Sequence, residues 1–366
     1  MPANHGKARD ALDLGSVVGY EAGPYELTFN SRDLILYALG IGCSGENECD
    51  RQFLYENHND FQAFPTFPLV LPFKGASQGI VPYPGPTLAI VPPALAGVAN
   101  PAKVLHYDQA LTLFKPLDYD GGTLTARSRV LGLYRRGGGA LLRTATTMVD
   151  EEGDKVAVST QGTYFRGLKV AQDAGPPLDT RRWERRPASP AAFASLVAVS
   201  PDQALLYRLS GDYNPLHADA DAAAALGLPG TILHGLCTLG FAAKEVCRHF
   251  CPHQPCALRS ISARFAAPVY PGDTLKVEMW TQSPTSGSKP ASAAHAPPQD
   301  NGGEIDRTSS GKRTTSSSSS SGGSCCAVVV LFEATIPARG GARAIADGVA
   351  VVDAAAVGPF SPAARL

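Results

Sequence analysis

The stretch "YRLSGDYNPLHADADAAAALGLPGTILHG" (residues 207–235) breaks a helix-forming run with Gly-Asp-Tyr-Asn-Pro-Leu-His. It then opens a second such run at His-Gly. A structural turn needs Gly211, Asn214 and Pro215, because glycine tolerates the left-handed region and proline disfavours helical geometry in the residue before it. It needs neither Asp212 nor His217. On a regular helix these two side chains would diverge; a turn can aim both at one point.

The flanks fit that reading. Ser200, Pro201 and Gln203 predict a helix start with a serine cap, a proline at the first helical position and a capping-box glutamine. This helix runs through Leu205 and Leu209 and stops at Gly211. A second short helix is expected over 219–227. After it, "HGLCTLGFAAKEVCRHF" has the amphipathic, small-residue pattern of a buried helix starting near His234-Gly235. The first N–H groups of such a helix have no intrahelical acceptor and lie at the positive end of its dipole. A substrate oxygen can come close to the N–H of Gly235, which has no side chain in the way.

Outward from this stretch the chain repeats itself. "FKPLDYDGGTL" (residues 114–124) aligns without a gap on "FAAPVYPGDTL" (residues 265–275), and "SRDLILYALG" aligns on "PDQALLYRLS" with Tyr37 opposite Tyr207. The copies differ most between these blocks. There the second copy carries the Asp-His turn and the first a Pro- and aromatic-rich stretch over 61–101, read as core or acyl-chain lining. The repeat predicts domains at 1–174 and 191–345, a Pro- and Arg-rich linker at 175–190 and a tail at 346–366. Residues 283–324, rich in Ser, Thr, Gly and Pro, predict a disordered insertion at the turn between two strands, "DTLKVEMW" and "CCAVVVLFEATI".

Bulk composition narrows the function. In 366 residues, 32 basic against 33 acidic side chains offer no charge excess for nucleic acid or an anionic membrane. No apolar run approaches the roughly 18 residues of a membrane span, and the first residues lack the apolar centre of a secretory signal. Eight cysteines at this length fit a reducing compartment, so a soluble, intracellular protein is expected.

"YRLSGDYNPLH" followed by "HG" resembles the signature of the 2-enoyl-CoA hydratase 2 family, the MaoC-like hydratases of hot-dog fold. "RFAAPVYPGDTLKVEMW" and "LHYDQALTLFKPL" extend the resemblance over most of the chain outside the insertion and tail. It implies an α+β double hot-dog fold, two repeats each with an antiparallel sheet wrapped around a central helix, with catalysis in the second and acyl-chain accommodation in the first. It implies Asp212 and His217 as the catalytic pair, Asn214 in support and Gly235 as the oxyanion-hole donor. His106, Tyr107, Arg136, Tyr213, Pro215, Leu216 and Phe265 join these four as implied substrate contacts. The implied reaction is reversible hydration of a trans-2-enoyl-CoA to the (3R)-3-hydroxyacyl-CoA in β-oxidation, with an acyl-CoA substrate, no cofactor and a homodimer. A dehydratase of another acyl thioester and a non-catalytic acyl-CoA-binding protein are the alternatives.

Other motifs carry less. "GIGCSG" (residues 40–45) has dinucleotide-binding spacing but follows a helical pattern, whereas that fingerprint needs a strand before it and a helix after. "CRHFCPHQPC" (residues 247–256) crowds Cys and His together without a paired zinc spacing, so no metal is expected. The C-terminal Ala364-Arg365-Leu366 is a variant of the small-basic-Leu address read by the peroxisomal import receptor, which predicts a peroxisomal location.

Overall fold

The computed structural model describes residues 13–84, 91–96, 104–178, 186–282 and 327–357. The insertion at 283–324, the middle of the linker and Ala364-Arg365-Leu366 lie outside the described residues.

Among the described residues, alternating or continuous apolar positions build ten strands. In the first half these are β1 (Glu21–Asn30), β2 (Val104–Leu113), β3 (Gly121–Arg136), β4 (Gly139–Val149) and β5 (Lys155–Arg166). In the second they are β6 (Phe193–Ala198), β7 (Leu258–Phe265), β8 (Thr274–Gln282), β9 (Ala327–Ile336) and β10 (Ala342–Asp353). They form one antiparallel sheet in the order β1-β3-β4-β5-β2-β7-β10-β9-β8-β6. The second half of that order mirrors the first. The seam is an antiparallel pairing of the equivalent strands β2 and β7, with Asp108 opposite Arg264 and Thr112 opposite Ser260. Antiparallel contact between equivalent strands relates the halves by an approximate twofold axis, as the internal repeat requires. β8 and β9 pair with Gln282 opposite Val329, so the insertion does join two neighbouring strands.

Among the described residues five α-helices lie between the strands: α1 (Ser31–Gly40), α2 (Leu71–Lys74), α3 (Gln203–Tyr207), α4 (Ala220–Ala225) and α5 (Gly235–Phe250). α1 and α3 are the repeat-related pair, and their matched tyrosines, Tyr37 and Tyr207, pack with ring centroids 6.0 Å apart. α1 starts with a complete capping box of Asn30 and Asp33. The box expected at 200–203 does not form. α3 begins only at Gln203, and the Gln203 amide donates instead to the carbonyls of Leu39 (3.2 Å) and Gly40 (2.6 Å). These bonds tie α3 to the C-terminal carbonyls of α1, which also accept the Gly42 N–H and the Cys237 thiol.

α5 is almost wholly buried and packs on the strands of the second half. The expectation of a central helix in each half holds only there. Among the described residues, the equivalent part of the first half has short turns and the four-residue α2, with Phe53, Phe61, Phe64 and Phe67 buried in the common core. Pro65, Pro68 and Pro72 break helical hydrogen bonding at close intervals, which a long helix cannot absorb. The boundary at 345 also shifts. β10 runs on to Asp353 because its Ala- and Val-rich end pairs with both β7 and β9, so the expected tail from 346 is in part a central strand.

α5 is clamped by the first half as well. Lys244 Nζ donates to the Gly42 carbonyl at 2.6 Å, and Arg248 Nε reaches Asp50 Oδ1 at 3.1 Å. Gly240 faces Ile41, whose side chain occupies the space a methyl group would need. Gly240→Ala would raise intrinsic helix propensity by about 1 kcal/mol. Overpacking against Ile41 outweighs this, and we expect a net loss of about 1–2 kcal/mol, read as a lower urea midpoint at unchanged slope.

Candidate active site

Gly211 closes the turn after α3 at φ 127°, and a Cβ there would meet the backbone nitrogen of Lys74 at 2.7 Å, so the first half presses directly on the turn. Beyond it, local hydrogen bonds fold "DYNPLH" back on itself. The Asn214 N–H donates to Asp212 Oδ1 (3.2 Å), and Asn214 Oδ1 accepts the Leu216 N–H (3.1 Å). Pro215–His217 forms a single 3-10 turn, with the His217 N–H donating to the Asn214 carbonyl at 3.1 Å. This brings the Asp212 carboxylate and the His217 ring together, and a third group joins them. Acceptor atoms of Asp212, His217 and His234 lie within 4.8 Å of one another.

Each ring has a defined tautomer. His217 Nδ1–H donates to the Ile232 carbonyl at 2.8 Å, which leaves a lone pair on Nε2. His234 Nε2–H donates to the Asp212 carbonyl at 3.1 Å, and its ring stacks on His217 with centroids 3.6 Å apart. His234 also caps α5, so the residue that supports both proton-transfer groups immediately precedes Gly235. As the first residue of α5, Gly235 has an N–H without an intrahelical acceptor. A Cβ at 235 would sit 3.2 Å from the Phe265 ring, a second reason for glycine here.

Burial sets the charges. It pushes the Asp212 carboxyl up to about 6, against the lowering effect of the Asn214 N–H. It pushes His217 down to about 4, against the Ile232 carbonyl, and holds His234 well below the ordinary imidazole range, with His217 adding to the effect. At neutral pH the site therefore contains a carboxylate of raised basicity and two neutral imidazoles. His234 Nε2 is taken by the Asp212 carbonyl and the two histidine rings stack at an interplanar angle of 26°, an arrangement that suits proton transfer better than metal ligation. Nor does "CRHFCPHQPC" gather a metal-holding group among the described residues. His249 bonds Ser195 at 3.0 Å and stacks on Phe193, consistent with a packing role.

The other expected site residues fall into separate groups. Phe265, at the end of β7, meets His106 of β2 edge-to-face at 4.8 Å, so these two form a wall running from Gly235 across the seam. His106 Nε2 pairs with Gln109 Oε1 at 3.1 Å. Tyr107 and Arg136 form a cluster of their own, with Arg136 Nη2 donating to the Tyr107 hydroxyl at 3.3 Å. Tyr213 lies beneath the Arg208 guanidinium, 4.8 Å from its ring centroid, while half-buried Leu216 and exposed Pro215 shape the turn.

Two contributors were not expected. His234 stands in the quoted motif, but sequence reading valued it only as the start of a helix. Tyr83 of the first half accepts a hydrogen bond from Asn214 Nδ2 at 3.1 Å across 131 positions, a contact without any local sequence signal.

Residues 27–167 match the family model described as the MFE-2 hydratase 2 N-terminal domain, and residues 183–296 match that of the MaoC-like domain. The chain is 33% identical to a probable enoyl-CoA hydratase 2 of Dictyostelium discoideum, over 75% of this chain and 89% of that one. It is 32% identical to the peroxisomal enoyl-CoA hydratase 2 of Arabidopsis thaliana, over 70% and 82% respectively. With the peroxisomal multifunctional enzyme type 2 of Drosophila melanogaster it shares 37% identity over 69% of its length, but it spans only 41% of that longer protein. Among solved structures, a MaoC-like dehydratase from Phytophthora capsici superposes with a TM-score of 0.75 at 34% identity, covering 95% of this chain and all of that one.

Proposed function

The chain belongs to the enoyl-CoA hydratase 2 family of MaoC-like proteins, and on that premise we propose that it adds water reversibly across the double bond of a trans-2-enoyl-CoA to give the (3R)-3-hydroxyacyl-CoA. The observation that carries this reading is the approach of the Asp212 carboxylate to His217 next to the first N–H of α5. A non-catalytic acyl-CoA binder would have no use for such a pair.

In this proposal one water donates a hydrogen bond to His217 Nε2, whose lone pair is aimed by the Ile232 carbonyl on the other side of the ring. Its second hydrogen faces Asp212. With the carboxyl near 6 and the imidazole near 4, Asp212 is the stronger base and takes the proton as the water oxygen bonds C3. Negative charge moves onto the thioester oxygen, where the Gly235 N–H receives it. The carboxylic acid just formed then gives its proton to C2, so one water has been added and Asp212 is again ionised. His106 and Phe265 flank the acyl thioester, and Arg136 beside Tyr107 offers positive charge to the CoA phosphates. The first half has no Asp-His pair at the corresponding place; it accommodates the acyl chain.

Delivery to the peroxisome, read from the Ala364-Arg365-Leu366 tripeptide, and association of two such chains, implied by the family resemblance, belong to the same proposal. The word peroxisomal in the names of several relatives supports the first.

Purified protein should hydrate crotonyl-CoA and trans-2-decenoyl-CoA to the 3R products. Asp212→Ala and His217→Ala should each lower kcat by about 100- to 10,000-fold with the fold intact by circular dichroism. Near-normal turnover in either variant would contradict the assignment. Because the base must be ionised, kcat/KM should fall as pH drops through about 6, the value for Asp212 in the free protein. A profile flat from pH 8 to 5 would remove Asp212 from that role. Deleting Leu366 should strand a fluorescently tagged chain in the cytosol, and continued import would refute the targeting reading.

A further inference from the structure

Asn214 links the two proton-transfer groups. Its N–H holds Asp212 Oδ1 (3.2 Å), its carbonyl accepts the His217 N–H (3.1 Å), and its side-chain oxygen accepts the Leu216 N–H (3.1 Å). One polar group is left, the amide Nδ2, and within the second half nothing in this set restrains it. The restraint comes from the first half, where the Tyr83 hydroxyl accepts from Nδ2 at 3.1 Å. A side-chain amide held at both ends cannot rotate away and release the turn.

The surroundings of Tyr83 fit such a part. Burial and the nearby Asp212 charge both hold the phenol above its ordinary range, so it stays protonated and neutral. Its oxygen is the acceptor for Asn214, and a neutral phenol adds no charge to the site. At 47% exposure the ring contributes little to the core, so loss of the hydroxyl is a local change.

From this geometry we propose that Tyr83 is a positioning residue of the site: the half without the 211–217 turn clamps Asn214 and so fixes Asp212 relative to His217. The proposal rests on the hydratase reading above and deepens it, because it makes the site a joint product of both halves. Tyr83 acts on the reacting atoms only through Asn214, so its loss should affect the chemical step more than substrate binding.

The test compares Tyr83→Phe with the unmodified full-length chain on crotonyl-CoA. A neutral hydrogen bond of this kind should cost roughly tenfold in kcat. KM should stay within about twofold and the thermal midpoint should be unchanged. In an Asn214→Ala background the same substitution should add less than about twofold, because the group it acts through is gone. Unchanged kcat in Tyr83→Phe would overturn the proposal. So would a rise in KM alone, which marks a substrate contact, or a full further tenfold loss in the Asn214→Ala background, which marks direct action on substrate. If the unmodified chain itself fails to hydrate the substrate, the hydratase reading falls instead, so the two failures are told apart.

Discussion

The imidazole of His234 is the constraint on which the site depends. One nitrogen holds the backbone of Asp212, one face supports His217, and its own backbone caps the helix that begins at Gly235. The turn that carries Asp212, the ring of His217 and the amide hydrogen of Gly235 thereby meet at a single residue. Tyr207 packs on the same ring at 4.9 Å, so His234 is held in turn by the helix contact between the two halves.

Enclosing these groups has an energetic consequence. Raising a carboxyl from 3.8 to about 6 means that keeping Asp212 ionised in the folded protein costs about 3 kcal/mol. The sign follows from proton binding: between those two values the folded state binds more protons than the unfolded one, so this group's contribution to stability declines as pH rises through the window. His217 runs the other way. Its neutral form is favoured by the fold, and its contribution is lost as pH falls from 6.5 toward 4. The cost is offset by the large apolar core that both halves share, and it leaves a carboxylate whose basicity lies close to neutral pH.

Duplication supplied a scaffold whose copies then diverged. The seam between β2 and β7 carries backbone pairing from one half to the other, and the two short helices meet through Tyr37 and Tyr207. Among the described residues only the second half has a long central helix, so there a helix N-terminus stands ready for an oxyanion. In the first half, prolines and phenylalanines fill the equivalent region with turns and the short α2, whose last residue Lys74 lies against Gly211.

The sequence by itself was enough for the repeat, with its aligned blocks at 114–124 and 265–275, for the turn at 211–217 and for the helix start at 234–235. These depend on local periodicity and on Gly and Pro, whose backbone preferences act within a few residues. Only the tertiary structure decided that Gln203 would abandon a capping box for Leu39 and Gly40, that β10 would continue past 345, and that the first half would go without its central helix. The same holds for His234 and Tyr83. Each serves the site through a partner far along the chain, and a hydrogen bond across 131 positions leaves no periodic or compositional trace to read.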